Sequence, residues 1–240
     1  MTLDLLSRVL FRDGLIIVLD KPAGLPVHQG PSGGPSLEDH FAQLRFGLPR
    51  LPALAHRLDA DTSGCLVLGR HPKALRRLGR LFREGRVEKT YLALTAGVPE
   101  RPRGRIDVPL LKQSNPRKGW RMIVDPAGKP AITDYRLLSA RDGLAFLALT
   151  PKTGRTHQIR VHLAHIGCPI LGDAKYGDPD ALRGSRLHLH AARLRLPLYP
   201  RRAPVDVAAP LPPHFADSLR RHRLAECETR AHETDSTASI

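Results

Sequence analysis

His56-Arg57-Leu58-Asp59-Ala60-Asp61-Thr62-Ser63-Gly64 runs directly into Cys65-Leu66-Val67-Leu68. A polar, turn-forming stretch followed at once by an apolar run reads as a loop that feeds a buried strand. Asp59 sits in that loop, between a basic pair and a Thr-Ser-Gly turn. Its carboxylate has two readings. It can cap the turn by accepting backbone N–H groups, or it can be a reactive group that a rigid sheet presents on a loop.

Working outward, the apolar run Leu15–Leu19 predicts a second buried strand. It enters Asp20-Lys21-Pro22-Ala23-Gly24-Leu25-Pro26-Val27-His28, where Pro22 and Gly24 set a turn and the role of Lys21 stays open. Gln29–Pro35 is rich in Gly, Ser and Pro and predicts a mobile connection. Ser36 then caps a short helix carrying Leu37, His40, Phe41 and Leu44 on one face. Beyond the Asp59 loop, residues 73–84 read as an amphipathic helix. Leu75, Leu78, Leu81 and Phe82 form its apolar stripe, Arg76, Arg77, Arg80 and Arg83 its opposite face, and Gly85 its stop.

A strand with Val87, Lys89 and Tyr91 follows. Strand patterns recur at 104–109, 120–124, 131–138 and 144–150, separated by turn residues, which favours antiparallel pairing. Lys112–Gly119, with Asn115-Pro116-Arg117-Lys118, reads as a basic surface loop. Residues 156–166 predict a helix with Ile159, Leu163 and Ile166 on one face and Gly167 at its end. Leu187–Leu194 predicts a closing strand, and Pro-rich 197–213 leads to a short basic helix. The whole predicts an α+β fold with a mixed, largely antiparallel central sheet and flanking helices. A single domain over residues 1–224 is expected, with a disordered polar tail at 225–240.

Formal net charge is +15, which predicts attraction to polyanions, nucleic acid first. The charge is clustered: Arg76, Arg77, Arg80, Arg83, Arg86 and Lys89 fall within fourteen positions. Three cysteines without a Cys-x-x-Cys pair fit free thiols in a reducing compartment, so a cytoplasmic location is expected. The longest apolar run, Leu144–Leu149, is six residues, too short to cross a membrane as a helix. His162 and His165 are three apart, but no His-Glu-x-x-His pattern and no cysteine at ligand spacing accompanies them, so no metal is expected.

The stretch His56–Gly64 resembles the active-site signature of RluA-type pseudouridine synthases. Two further motifs match in the family's order: Lys89-Thr90-Tyr91, and Thr153-Gly154-Arg155-Thr156-His157-Gln158-Ile159-Arg160-Val161-His162. Asp20–His28 and Gly172-Asp173-Ala174-Lys175-Tyr176-Gly177 resemble other family segments, and the likeness spans about residues 14–197. It implies an RNA isomerase that detaches uracil from ribose, turns it and rejoins it through carbon 5, with no cofactor. By the same resemblance Asp59 is the catalytic carboxylate, attacking the sugar or removing a sugar proton.

Tyr91 is then the residue that packs on the target base and relays the carbon 5 proton, where composition alone reads a core tyrosine. Arg160 is the partner that keeps Asp59 ionised, where the helical pattern alone equally allows a solvated arginine. A stacked uridine must be flipped out to react. Arg57 is the candidate to fill the gap, or a phosphate or protein contact. Arg76, Arg77, Arg80, Arg83 and Lys89 are candidate RNA contacts, with His56, Arg155 and His157 inside the matched motifs. Fourteen residues precede the first predicted strand, so the small RNA-binding domain that many members carry there is expected to be absent. The implied substrate is ribosomal or transfer RNA and the default state a monomer. The rival reading is a non-catalytic RNA-binding or ribosome-assembly factor on the same scaffold.

Overall fold

The computed structural model describes residues 3–30, 33–117, 119–177 and 186–224. In chain order the first elements are β1 (Val9–Arg12), β2 (Ile16–Lys21), β3 (Ala53–Leu54), β4 (Ser63–Gly69), α1 (Pro72–Arg83), β5 (Glu88–Ala96) and β6 (Arg103–Asp107). There follow β7 (Leu110–Asn115), β8 (Gly119–Val124), β9 (Ile132–Arg141), β10 (Leu144–Pro151), α2 (Gln158–His165), β11 (Leu189–Leu196), β12 (Val205–Ala208) and α3 (Pro213–Arg221). Short 3-10 helices cover Leu6–Arg8 and Leu37–Leu44. The chain divides into two compact units, Met1–Tyr91 with Leu189–Leu211, and Leu92–His188 with Pro212–Ile240.

In the first unit β2 lies between β1 and β4, antiparallel to both, with Ile16 opposite Gly69 and Lys21 opposite Gly64. β11 joins β4 in parallel at His190–Ser63 and Ala191–Gly64, and β12 closes antiparallel on β11. The continuous apolar runs have a simple cause: this sheet is covered on both faces. Ile16, Val18, Cys65 and Val67 pack into one core with Leu78 and Leu81 of α1 and with Leu194, Leu196 and Val207. Ile17, Leu19, Leu66 and Leu68 point into a second core with Leu5, Leu37, Phe41, Leu44, Leu58 and Ala191. Successive strand residues thus feed opposite cores. Each such fully buried aliphatic side chain contributes roughly 1.5–3 kcal/mol.

The helix over α1 forms where expected. The His71 ring accepts the Ala74 N–H at 3.2 Å, Pro72 opens the first turn and Gly85 leaves it at φ +66°. Ser36 caps Leu37–Leu44 as expected, with the Asp39 carboxylate reaching back to the Ser36 N–H at 2.7 Å, although that segment winds as a 3-10 helix.

In the second unit β6, β9 and β10 pair antiparallel, Leu144 facing Arg141 at the β9–β10 turn. A separate antiparallel hairpin joins β7 to β8. Leu110, Met122, Ala131 and Val161 form a small core under that hairpin and α2, and Phe146 meets Phe215 of α3 edge-on at 6.1 Å. The α+β class with a mixed, largely antiparallel sheet and few helices therefore holds.

Four local expectations change. The first strand is β1 at Val9–Arg12, not the run at 15–19; its residues are half exposed, so no continuous apolar signal marks it. Lys112–Asn115 is strand rather than loop; it is solvent-exposed on both faces, so the period-two alternation is missing. α2 begins at Gln158 because His157 adopts φ +52°, a left-handed conformation that cannot continue the helix backward. The Pro-rich stretch contains β12, paired over Val205–Ala208 between its prolines. The tail at 225–240 and Lys118 lie outside the described residues, as do residues 31 and 32 of the Gly/Ser/Pro connection. Among the described residues no helix is long and apolar enough to cross a membrane.

Candidate active site

Lys21 organises the Asp59 loop. It is fully buried, and its ammonium donates to the backbone carbonyls of Pro22 at 2.7 Å, Ala60 at 2.8 Å and Thr62 at 2.9 Å. Three donors meet three acceptors, and two of those acceptors, Ala60 directly after Asp59 and Thr62 two residues on, flank Asp61. The Gly24 N–H also reaches the Ala60 carbonyl at 2.9 Å, and the Thr62 N–H closes a turn on the Asp59 carbonyl at 3.1 Å. The motif around Lys21-Pro22-Ala23-Gly24 thus clamps the backbone that carries the carboxylate.

The loop is anchored at its exits as well. Before it, His56 Nε2 accepts the Val67 N–H at 3.0 Å, and its ring lies 4.7 Å from Phe82. That role needs an unprotonated nitrogen, and burial, with Lys89 adding to it, pushes the imidazole down to about 3. After it, Ser63 Oγ bonds His190 Nδ1 at 2.8 Å on the neighbouring strand. Gly64 has φ +104°, and a Cβ there would sit 2.3 Å from the Ala191 carbonyl oxygen, so the parallel approach of β11 requires glycine.

Tyr91 packs against the second core of this unit, the one that contains Leu58. Burial raises its phenol above the ordinary value, and the Asp59 carboxylate raises it further. The phenol therefore keeps its proton at neutral pH. Asp59, Lys21, His56 and Tyr91 are brought together within one unit.

Burial pushes the Lys21 ammonium down to about 8, against the opposing pull of Asp61, Asp59 and Asp20. The consequence for stability has a definite sign. A lysine with a lowered folded pKa binds its proton more weakly than the unfolded chain does. Below about 8 both states are protonated and the cost of burying the charge is fully present; between about 8 and the model-peptide value of 10.5 the folded state sheds the proton first and that cost is relieved. The gain is on the order of 3 kcal/mol. Lys21→Met removes this titration. The stability of the parent relative to Lys21→Met should rise between pH 8 and pH 10 in denaturant unfolding. A constant difference across that range would mean that Lys21 is not a buried cation.

In the second unit Arg160 is buried, not solvated. Its Nε and Nη2 donate to the two Asp173 oxygens at 2.8 and 2.7 Å, a two-pronged pair whose side chains are 7% and 0% exposed. Asp173 also accepts the N–H groups of Lys175 and Tyr176. Burial alone would raise its pKa, but Arg160 and those N–H groups together hold it below the usual carboxylate range. The Tyr176 ring lies under the Arg160 guanidinium at 5.2 Å, and its hydroxyl meets His157 Nδ1 at 2.7 Å. His162, also on α2, uses Nδ1 on Thr133 Oγ1 and Nε2 on the Val108 carbonyl.

Asp173 was not among the sequence candidates. A signal was present: α2 carries no acidic residue, so a buried arginine on it must find its carboxylate elsewhere. The remaining basic candidates are spread out. Arg76, Arg80 and Arg83 are exposed on α1, while Arg77 is half-buried over the Tyr199 ring at 5.9 Å. Arg57 is exposed, Lys89 half-buried, and the exposed Arg155 donates to the Pro130 carbonyl at 3.0 Å.

A family model described as RNA pseudouridylate synthase matches residues 15–165. A Zymomonas mobilis protein called an uncharacterized RNA pseudouridine synthase is 48% identical over 89% of this chain and 97% of its own length. The ribosomal large subunit pseudouridine synthase C of Buchnera aphidicola is 34% identical over 90% of this chain and 71% of its own. Among solved structures, human RNA pseudouridylate synthase domain containing 4 superposes with a TM-score of 0.78 at 31% identity, covering 91% of this chain and 94% of that one. The motifs around Asp59, Tyr91 and Arg160 and these likenesses agree: the chain belongs to the RluA-type family of RNA pseudouridylate synthases, isomerases that act on RNA.

Proposed function

We propose that this enzyme isomerises uridines in folded ribosomal or transfer RNA, with Asp59 as the catalytic carboxylate. The observation that carries the assignment is the triple engagement of the Lys21 ammonium, which pins the backbone directly after Asp59 through carbonyls alone and so fixes where the loop presents the carboxylate. A loop that only capped a turn would have no use for a buried cation held at such cost. Tyr91, a phenol that stays protonated beside Asp59, packs on the base and relays the carbon 5 proton. The resemblance assigns Arg160 to the support of the catalytic charge and Arg57 to the space that the flipped base leaves. The reaction uses no redox step and no group donor, so these residues suffice without a cofactor.

The substrate class is supported by a formal charge of +15 and by the exposed Arg76, Arg80 and Arg83 on α1, with Arg77, Lys89, Arg155 and His157 as further contacts. The buried thiols Cys65 and Cys168 fit a reducing, cytoplasmic setting, and the enzyme acts as a monomer. The experiment is pseudouridine mapping of ribosomal and transfer RNA from cells with and without the gene, followed by conversion of the unmodified RNA by the purified protein. Loss of one or more sites that the protein restores is the expected result. Unchanged maps and no conversion of either RNA would favour the non-catalytic binding factor. Affinity for the identified RNA should fall steeply with salt, since each neutralised phosphate releases counterions. Substituting Arg76, Arg80 and Arg83 together should flatten that slope by about two to three contacts. An affinity flat in salt would remove α1 from the interface.

A further inference from the structure

Trp120 is the only tryptophan of the chain, and it stands 37% exposed on the β7–β8 hairpin. Its neighbours are unusual for a stranded aromatic. The Lys175 ammonium lies 3.9 Å from its ring centre and the Lys112 ammonium 5.0 Å, while the His157 ring stacks on it at 5.0 Å and 28°. His157 is fixed by Tyr176, whose hydroxyl also accepts the Met122 N–H at 3.0 Å, and Arg121 lies over the Tyr176 ring at 5.6 Å. The indole is therefore held in one place by a rigid aromatic column and ringed by cations.

The chemistry of that cluster selects its partner. A protein or membrane partner would call for contiguous apolar surface, and among the described residues of this hairpin only Leu111 accompanies Trp120 as an exposed large apolar residue. A flat aromatic group bearing a phosphate suits it instead. The indole offers a π-face to a base, and the two lysine side chains, on flexible stems, can move from the ring to the phosphate. A duplex hides its base faces, so the ligand must be unpaired. We propose that Trp120 is a stacking site for an unpaired nucleotide of the RNA substrate, with Lys112 and Lys175 binding its phosphate. The proposal rests on the RNA-modifying function and extends the RNA contact to the β7–β8 hairpin.

Because Trp120 is the sole tryptophan, its emission reports on the site directly. The intact protein is titrated with single-stranded oligouridylate and with a blunt RNA duplex of equal length. Saturable quenching by the single strand and little by the duplex is expected. Trp120→Ala should weaken single-strand binding roughly tenfold, and Trp120→Phe should restore most of it. On the mapped substrate, Trp120→Ala should raise KM more than it lowers kcat. Both variants change an exposed residue, and an unchanged melting curve confirms their folding. If labelled single strand binds by anisotropy with unaltered emission and with equal affinity for Trp120→Ala, the site is wrong. Emission that shifts with protein concentration in the absence of RNA would mark a self-association surface and overturn it as well. The two readings fail separately. Isomerisation with a silent Trp120 removes the stacking site alone, whereas quenching without pseudouridine in any RNA removes the enzymatic reading and leaves the site standing.

Discussion

Asp59→Asn should lower single-turnover isomerisation by more than about 10³-fold while leaving RNA binding nearly intact. The expectation rests on which atoms the loop uses. Lys21 holds the carbonyls of Ala60 and Thr62, and the Thr62 N–H holds the carbonyl of Asp59. All of these are backbone acceptors, so asparagine leaves the clamp in place and removes only the negative charge. That charge also favours the Lys21 ammonium, so the variant's Lys21 should lose its proton more readily. Binding should not suffer, because removing an anion from a basic protein cannot weaken its attraction to phosphate. The rate is read from release of tritium from carbon 5 of uridine in the mapped RNA, with protein in excess. Full turnover by the purified variant would take Asp59 out of the mechanism and return it to the role of a turn cap.

That loop was the most legible part of the molecule, and the reason is physical. Its signals are local: a polar turn, a glycine and a four-residue apolar run all lie within thirteen positions. The two covered faces of the first unit's sheet left equally plain marks, since Leu15–Leu19 and Cys65–Leu68 must be apolar at every position to feed cores on both sides. β7 shows the converse. Its residues after Leu110 are exposed, so nothing in their hydropathy distinguishes a strand from a loop, and only pairing with β8 makes them one. β1 was hidden by its half-exposed residues for the same reason.

The site was legible only in part because its polar residues are held by partners distant in sequence. Arg160 and Asp173 are thirteen positions apart, and nothing in the helical pattern separates a buried arginine from a solvated one. On α2 every residue from Gln158 to Leu163 is buried, polar and apolar alike, so an apolar stripe was a poor guide to what faces solvent. Those polar groups are tolerated because each is bonded: Gln158 to Ile132 and Thr133, His162 to Thr133 and Val108, Arg160 to Asp173. Lys21 belongs to the same class. Its residue type suggests a surface charge, and only the fold shows three carbonyls converging on it.

The Arg160–Asp173 pair carries the second large effect. Arg160→Met should destabilise the protein by about 3–5 kcal/mol, because it leaves a carboxylate with a fully buried side chain and no counter-charge from Arg160. The change should also invert the pH response. In the parent, the Asp173 pKa is lowered in the folded state, so its stabilising contribution is fully present above the unfolded value of about 3.8 and is lost only as pH falls through the lower folded value. Between pH 7 and pH 5 this group leaves the parent flat. Without Arg160, burial becomes the dominant influence on Asp173 and lifts the folded value above the unfolded one. The ionised carboxylate then weakens the fold at neutral pH, and stability returns as acid protonates it. The quantity to measure is the difference in unfolding free energy between parent and Arg160→Met from pH 7 to pH 5, which cancels groups titrating alike in both. That difference should shrink as pH falls, and it should lose this pH dependence for Arg160→Met combined with Asp173→Asn, where the Asp173 position no longer carries a charge. Arg160→Lys separates geometry from charge: it keeps the cation but cannot match both carboxylate oxygens, so it should lose part of the stability and retain the parent's flat response. A difference that stays constant with pH in Arg160→Met would show that Asp173 does not depend on Arg160 for its charge, and the pair would then be a contact of geometry alone.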